Sequence, residues 1–314
     1  MTQTDLIGRL APGSRVAVIR LRSLGDCVLS TPAIHLLKSF RPDLQIGIVV
    51  EDRFADVYRN NPDIAAVLSP SAMALRSFRP DLCLNLHGGT RSARLTLLSG
   101  AHYRAGFDMF RPAWAYNVAI PTAQETLGIG RRVHTAEHMA SAVFHLGIPI
   151  GEVPRANIPA PDGRSAYAPQ GQYGVIHPMA ATPEKTWPSA FFIELARFIG
   201  RTLDLEPVFI GGPGEDLSPF QIWRTVVGVP LPEIARLMRD ASLFVGNDSG
   251  PAHVAAAFGI PEVIFFGPSD HEVWAPWRTP AEVLKAEGPI HSITVAQATH
   301  AVERLRLLHP AGTS

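Results

Sequence analysis

What most constrains this chain is an alternation. Short runs of β-branched and apolar residues are each followed by a glycine-bearing loop and then by a helical pattern. Residues 15–21 (RVAVIRL) read as a buried strand bounded by Gly13 and Gly25. A loop over 22–27 follows, and Thr31-Pro32 opens a helix to about Phe40, proline being at home near a first helical position. Residues 44–50 and 81–86 give a second and a third strand, with helical patterns at 90–98 and 134–146. Strands apolar on both faces and separated by helices predict an α/β fold, a parallel sheet covered on both sides.

Between Gly147 and Gly171 the pattern stops: Pro149, Pro154, Pro159, Pro161 and Pro169 break every run, which marks an interdomain linker. The alternation then restarts. Strands are expected at 173–177, 207–211, 243–246 and 263–266, and helices at 189–200, 232–239, 251–259 and 295–308. Two α/β domains follow, 1–160 and 161–314, with a cleft expected between them. In such sheets ligands sit at the carboxyl ends of strands, so the loops there are where chemistry is sought.

Composition removes several classes. Lys plus Arg number 28 and Asp plus Glu 28, so no global field exists to hold a nucleic-acid backbone. The two cysteines, Cys27 and Cys83, exclude a disulfide framework and a cysteine zinc site, and fit a reducing compartment. No apolar stretch approaches the ~18 residues of a membrane span, and the first dozen residues lack a secretory pattern. The expected address is the cytoplasm.

Four loops carry the candidate chemistry. In Arg22-Ser23-Leu24-Gly25-Asp26, Gly25 permits a tight turn and Asp26 brings a carboxylate to the cleft, although it also suits a helix start. In the loop from His177 to Pro188, Lys185 can neutralise a phosphate, whereas most lysines are plain solvated surface. Gly211-Gly212-Pro213-Gly214-Glu215 fails the dinucleotide fingerprint because Leu217 stands where its third glycine belongs, leaving a glycine turn with Glu215. In Asn247-Asp248-Ser249-Gly250-Pro251-Ala252-His253, Ser249 and Gly250 sit where a helix begins. Its free N–H groups suit a diphosphate, with His253 one turn on, while capping by Asp248 or Ser249 explains part of the pattern.

Two local matches are set aside. Asp248-Ser249-Gly250 echoes a trypsin-like nucleophile loop, but those proteases are disulfide-bearing β-barrels. His134-Thr135-Ala136-Glu137-His138 matches an inverted zinc-protease motif, which 12 scattered histidines make a plausible chance match. With no G-x-x-x-x-G-K-[ST] and no D-x-D pair, no metal or cofactor is expected.

Arg20-Leu21-Arg22-Ser23-Leu24-Gly25-Asp26 with Leu29-Ser30-Thr31-Pro32-Ala33, then Lys185-Thr186-Trp187-Pro188, Asn247 through His253, and Phe266-Gly267-Pro268-Ser269-Asp270 together resemble glycosyltransferase family nine, whose best-known members are lipopolysaccharide heptosyltransferases. The resemblance runs from about residue 15 to 308. It implies a GT-B fold of two Rossmann-like domains, the amino-terminal one holding an acceptor sugar and the carboxy-terminal one a nucleotide-sugar donor, typically ADP-heptose. Transfer in the family inverts the anomeric centre without a metal. Carried over by motif, Asp26 is the general base, and Lys185, Ser249, Gly250 and His253 hold the donor diphosphate. Asp248 fixes the loop or a donor hydroxyl, and Glu215 holds the ribose. Arg22, Arg91 and His134 fall near acceptor-binding positions, suited to an anionic glycan or glycolipid acceptor. Peripheral contact with the inner membrane is left open. Met179 departs from the family's glycine, and Ala180-Ala181 from its hydroxyl residues, which bears on donor identity. The competing readings are a nucleotide-sugar hydrolase or epimerase, which needs no acceptor, and a non-catalytic nucleotide-sugar binder, which needs no carboxylate at Asp26.

Overall fold

The computed structural model describes residues 4–308 and divides into two compact units, Met1–Pro159 and Ala160–Ser314. The first holds β1 (Arg15–Ile19), β2 (Gln45–Val49), β3 (Ala66–Leu68), β4 (Leu82–Asn85), β5 (Tyr103–Phe107) and β6 (Val118–Ile120). Its helices are α1 (Leu6–Arg9), α2 (Leu24–Phe40), α3 (Ala72–Phe78), α4 (Gly89–Leu98), α5 (Ala123–Leu127) and α6 (Thr135–His145). The second holds β7 (Tyr173–His177), β8 (Glu206–Gly211), β9 (Arg224–Val227), β10 (Leu243–Asn247), β11 (Glu262–Phe266) and β12 (Ala281–Lys285). Between its strands lie α7 (Ser189–Thr202), α8 (Leu231–Arg239), α9 (Gly250–Phe258) and α10 (His271–Trp274), and α11 (Val295–Leu308) closes it.

Every strand pair is parallel, and the two sheets repeat one order: β3-β2-β1-β4-β5-β6, and β9-β8-β7-β10-β11-β12 read from its far edge. This is the doubly wound order, in which the chain reverses direction across the sheet after the third strand. The switch point lies between β1 and β4 in one unit and between β7 and β10 in the other. Strand residues at these centres are buried throughout, as in β4 (Leu82–Asn85), β7, β10 and β11.

One helix start and several strands depart from the sequence reading. Helix α2 starts at Leu24, two turns before Thr31, and runs through Pro32 to Phe40. A proline within a helix leaves the carbonyl four residues back without its amide partner. Here that carbonyl belongs to Val28, and the Thr31 hydroxyl donates to it at 2.8 Å, so the helix continues. The loop after β1 is correspondingly short, and Asp26 lies in the first turn of α2. Edge strands β3, β6, β9 and β12, and also β5, lie outside the strands read from sequence. The edge strands pair on one side only and are only part-buried, and the wholly apolar ones, β3 and β6, are just three residues long.

The core of the second unit is built on Trp187. Its ring stacks on Phe265 at 4.2 Å, meets Phe192 edge-on at 5.0 Å, and its indole N–H donates to the Ile293 carbonyl at 2.8 Å. Truncating such a residue typically costs 3–5 kcal/mol, roughly. In the first unit, Cys27 and Cys83 are buried free thiols, each pushed up to about 12 by desolvation.

Glu262 opens β11 fully buried, and neither carboxylate oxygen has a hydrogen-bond partner among the described residues. Burial drives its carboxyl well above the ordinary value of 4.5. The folded state therefore holds a proton that the unfolded chain releases near pH 4.5, and stability falls as pH rises above that value. Glu262→Gln removes the liability, so its advantage in melting temperature over the parent should widen from pH 4.5 to pH 8. A gap that stays constant across thermal melts in that range counts against a protonated Glu262.

Candidate active site

In the first unit the carboxyl ends of β1, β2 and β4 carry a compact set of charges. Ser23 caps α2, and Asp26 three residues on turns back to it: the Ser23 hydroxyl donates to Asp26 Oδ2 at 2.9 Å. Arg20, almost buried at the end of β1, pairs with Asp26 Oδ1 through one guanidinium nitrogen and donates to the Leu86 carbonyl at 2.7 Å through another. A single side chain thus spans the switch point and fixes the carboxylate from the side opposite Ser23. Asp26 closes the capping box of α2 and keeps its carboxylate partly exposed.

Across the switch point, Asn85 shapes the turn after β4. Its side-chain oxygen accepts from the His87 and Gly88 amides at 2.9 and 3.2 Å, and its amide donates to Ser92 and Tyr116. Gly88 has φ of 75°, and a Cβ there would lie 2.9 Å from the Phe110 ring, so the turn admits only glycine. His87 is half-buried; burial and the charges of Arg20 and Arg22 push it down to about 4, against the opposite pull of Asp26 and Glu51. His138 stacks on Phe107 at 4.1 Å, and burial with Arg20 likewise lowers it to about 4. Both imidazoles are neutral at pH 7.

The residues expected on the acceptor side fall as follows. Arg22 is exposed at the end of β1, and no hydrogen bond or ion pair engages it among the described residues. Arg91 pairs with Glu51 at 2.6 Å, which also binds Arg53 at 3.0 Å. His134 is buried and caps α6, its Nδ1 accepting the Ala136 amide at 3.1 Å. Glu137 of the H-x-x-E-H match is held by two bonds from Arg131 at 2.6 and 2.9 Å, so its carboxylate is spent within the protein.

In the second unit the loops after β7, β8 and β10 are tied into one cradle. Asn247, fully buried, donates to the Pro178 carbonyl and accepts from the Trp187 amide, each at 2.9 Å, so one side chain staples the loop after β7 to the end of β10. His177 does the same for three loops. Its Nε2 lies 3.3 Å from Glu215 and its Nδ1 3.1 Å from the Ser249 hydroxyl. With the proton on Nε2, the ring donates to the carboxylate and accepts from the serine. Glu215 also accepts the Gly212 amide at 2.7 Å, and the His177 bond, with that amide, holds its carboxyl below the usual range.

Ser249 precedes α9, whose first-turn N–H groups carry the positive end of the helix dipole, with His253 buried one turn in. Lys185 reaches Asp248 at 3.1 Å while its ammonium stays partly exposed. The cation read from sequence as a phosphate partner thus has a carboxylate counter-ion within its own unit. Gly267, after β11, passes so close to the Glu184 carbonyl that a Cβ would lie 2.5 Å from it, which locks the Lys185 turn in place. Lys185, Asp248, Ser249, Gly250 and Glu215 are thereby brought to one end of one sheet.

Sequence reasoning gave no role to Arg20, His87, His138, His177 or Asn247. His177 and Asn247 end strands that had been located, which was the available signal. Their partners lie 38 to 72 residues away, and no local pattern announces such pairs.

Known proteins share this sequence family and this fold. The model of "Glycosyltransferase family 9 (heptosyltransferase)" matches residues 71–302. Lipopolysaccharide heptosyltransferase 3 of Escherichia coli is 28% identical over 291 residues, covering 82% of this chain and 84% of that protein. Among solved structures, a family 9 glycosyl transferase from Veillonella parvula superposes with a TM-score of 0.80 at 23% identity, covering 98% of this chain and 99% of that one. The E. coli ADP-heptose LPS heptosyltransferase II gives 0.79 at 20% identity, covering 95% and 100%. The two Rossmann-like units are those of the GT-B class, and the chain belongs to glycosyltransferase family 9, the heptosyltransferase family, as a glycosyltransferase.

Proposed function

We propose that this glycosyltransferase moves a heptose from an ADP-linked donor onto a glycan or glycolipid acceptor of the lipopolysaccharide-core kind, with inversion and without a metal ion. The observation that carries the reading is the pairing of chemistries at the two switch points: an oriented carboxylate, Asp26, in one unit, and an anion cradle around Lys185, Ser249 and α9 in the other. The relatives' names support the sugar and nucleotide, since one is a lipopolysaccharide heptosyltransferase and another an ADP-heptose enzyme.

In this scheme the acceptor hydroxyl gives its proton to Asp26 as its oxygen bonds the anomeric carbon. The bond from that carbon to the diphosphate breaks on the opposite face, and its electron pair leaves with the phosphate oxygen. Lys185, His253 and the amides of Ser249 and Gly250 take the charge that develops there, the part a divalent ion plays in other transferases. Glu215, held by His177, lies where a ribose hydroxyl is expected, and Asp248 sets the position of Lys185. Arg22, Arg91 and His134 belong to the acceptor side, with unit 1–160 as acceptor domain and 161–314 as donor domain. A cytoplasmic site of action goes with a nucleotide-sugar donor. No helix among the described residues is long and apolar enough to cross a membrane.

Asp26→Asn should keep ADP affinity and lower turnover by about a hundredfold to ten-thousandfold. Full turnover in that variant, with an unchanged melting curve, would remove the general base. Lys185→Ala should weaken ADP in calorimetry as well as slow transfer. Wild-type affinity there takes Lys185 out of the donor site. ADP should bind more tightly than UDP or GDP, and transfer should persist in excess EDTA. Loss of activity restored by added magnesium overturns the metal-independent scheme.

A further inference from the structure

A single buried ring holds two polar groups of the second unit's cradle. His177 ends β7 and is 5% exposed, while the side chains it binds, Glu215 and Ser249, are partly exposed. Glu215 accepts both of its bonds on one oxygen, Oε2: from His177 Nε2 at 3.3 Å and from the Gly212 amide at 2.7 Å. Oε1 has no hydrogen-bond partner among the described residues. A carboxylate held by one oxygen keeps the other as an acceptor for a sugar hydroxyl.

Ser249 is the N-cap of α9, yet its hydroxyl makes no capping bond. A capping serine accepts the amide of the second or third helical residue. The second is Pro251, which has no N–H, so Ala252 is the amide a cap would take. The hydroxyl turns instead to His177 Nδ1 at 3.1 Å, and the Ala252 amide is left with a 3.2 Å bond to the Ser249 carbonyl. The Ser249 and Gly250 amides have no acceptor among the described residues. A sequence that ordinarily closes a helix start is thereby kept open, with its donors at the positive end of the dipole.

We propose that His177 is the positioning residue of the donor site. It draws the Ser249 hydroxyl away from the start of α9, so that a diphosphate takes the amides there. It also holds Glu215 by one oxygen, so that the other meets a ribose hydroxyl. His177 has this role only where the cradle is the nucleotide-sugar site, the reading on which the inference rests. One side chain then governs both the ribose and the diphosphate ends of the donor without touching either. Without the ring, the hydroxyl falls back onto the Ala252 amide as an ordinary cap and closes part of the anion site. Glu215 then swings on its remaining bond to Gly212.

Calorimetry on the full chain tests this with inorganic pyrophosphate, ADP and dideoxy-ADP, which lacks both ribose hydroxyls. His177→Phe keeps a ring and loses both nitrogens; His177→Leu repeats each comparison should the phenylalanine variant not fold. Pyrophosphate should bind His177→Phe about tenfold more weakly than wild type. On a Ser249→Ala background the same substitution should change pyrophosphate affinity by less than about twofold, because no hydroxyl remains to close the site. Wild type should prefer ADP to dideoxy-ADP, and His177→Phe should lose that preference. A loss of pyrophosphate affinity as large with Ser249→Ala as without it marks a merely structural effect and overturns the proposal. So does an undiminished preference for ADP in His177→Phe. Wild type that binds neither pyrophosphate nor ADP removes the donor reading itself, and this role with it. Wild type that binds both, with His177→Phe unaltered, removes His177 alone.

Discussion

A parallel sheet must be covered on both faces, and this constraint leaves only the ends of its strands for chemistry. In each unit the winding order opens the carboxyl end at a single place, where connections diverge to opposite faces. Arg20 holds that place in the first unit by joining the end of β1 to the turn after β4, with Asp26 on its other side. Asn247 and His177 hold it in the second. These polar side chains are mostly buried and hydrogen-bonded, although Arg20 Nε has no partner among the described residues. Buried polar groups of this kind specify one arrangement when their partners are met.

The electrostatics of the two ends differ. In the first unit His87 and His138 are kept neutral by burial and by nearby guanidinium groups, while the Asp26 carboxylate stays partly exposed. In the second, Lys185 is matched by Asp248, and Glu215 is kept ionised by His177 and Gly212. That end of the sheet offers backbone amides and a helix dipole as well as a lysine, charges fixed by the fold.

Much of the fold was legible because central strands announce themselves. Residues 15–21, 44–50, 173–177 and 243–246 are apolar on both faces, and only a covered sheet uses such runs. The start of α2 was not legible, because Pro32 signals a first turn and only the Thr31 hydroxyl, seen in three dimensions, explains why it does not make one. Edge strands such as β3 and β9 escaped because one-sided pairing asks little of their side chains. At the site, the residues of glycine-bearing loops could be picked out by position alone. Arg20, Asn247 and His177 could not, since what makes them important is a partner dozens of residues distant.

One buried feature has a practical side. Cys27 and Cys83, the chain's two thiols, both lie within the first unit's core and are held in the protonated form. Nucleophilicity belongs to the thiolate, so electrophiles and oxidants find almost nothing to attack in the native enzyme. A cysteine introduced at any surface site would be the lone reactive handle, ready for a fluorophore or spin probe with the two natural sulfurs left as they are.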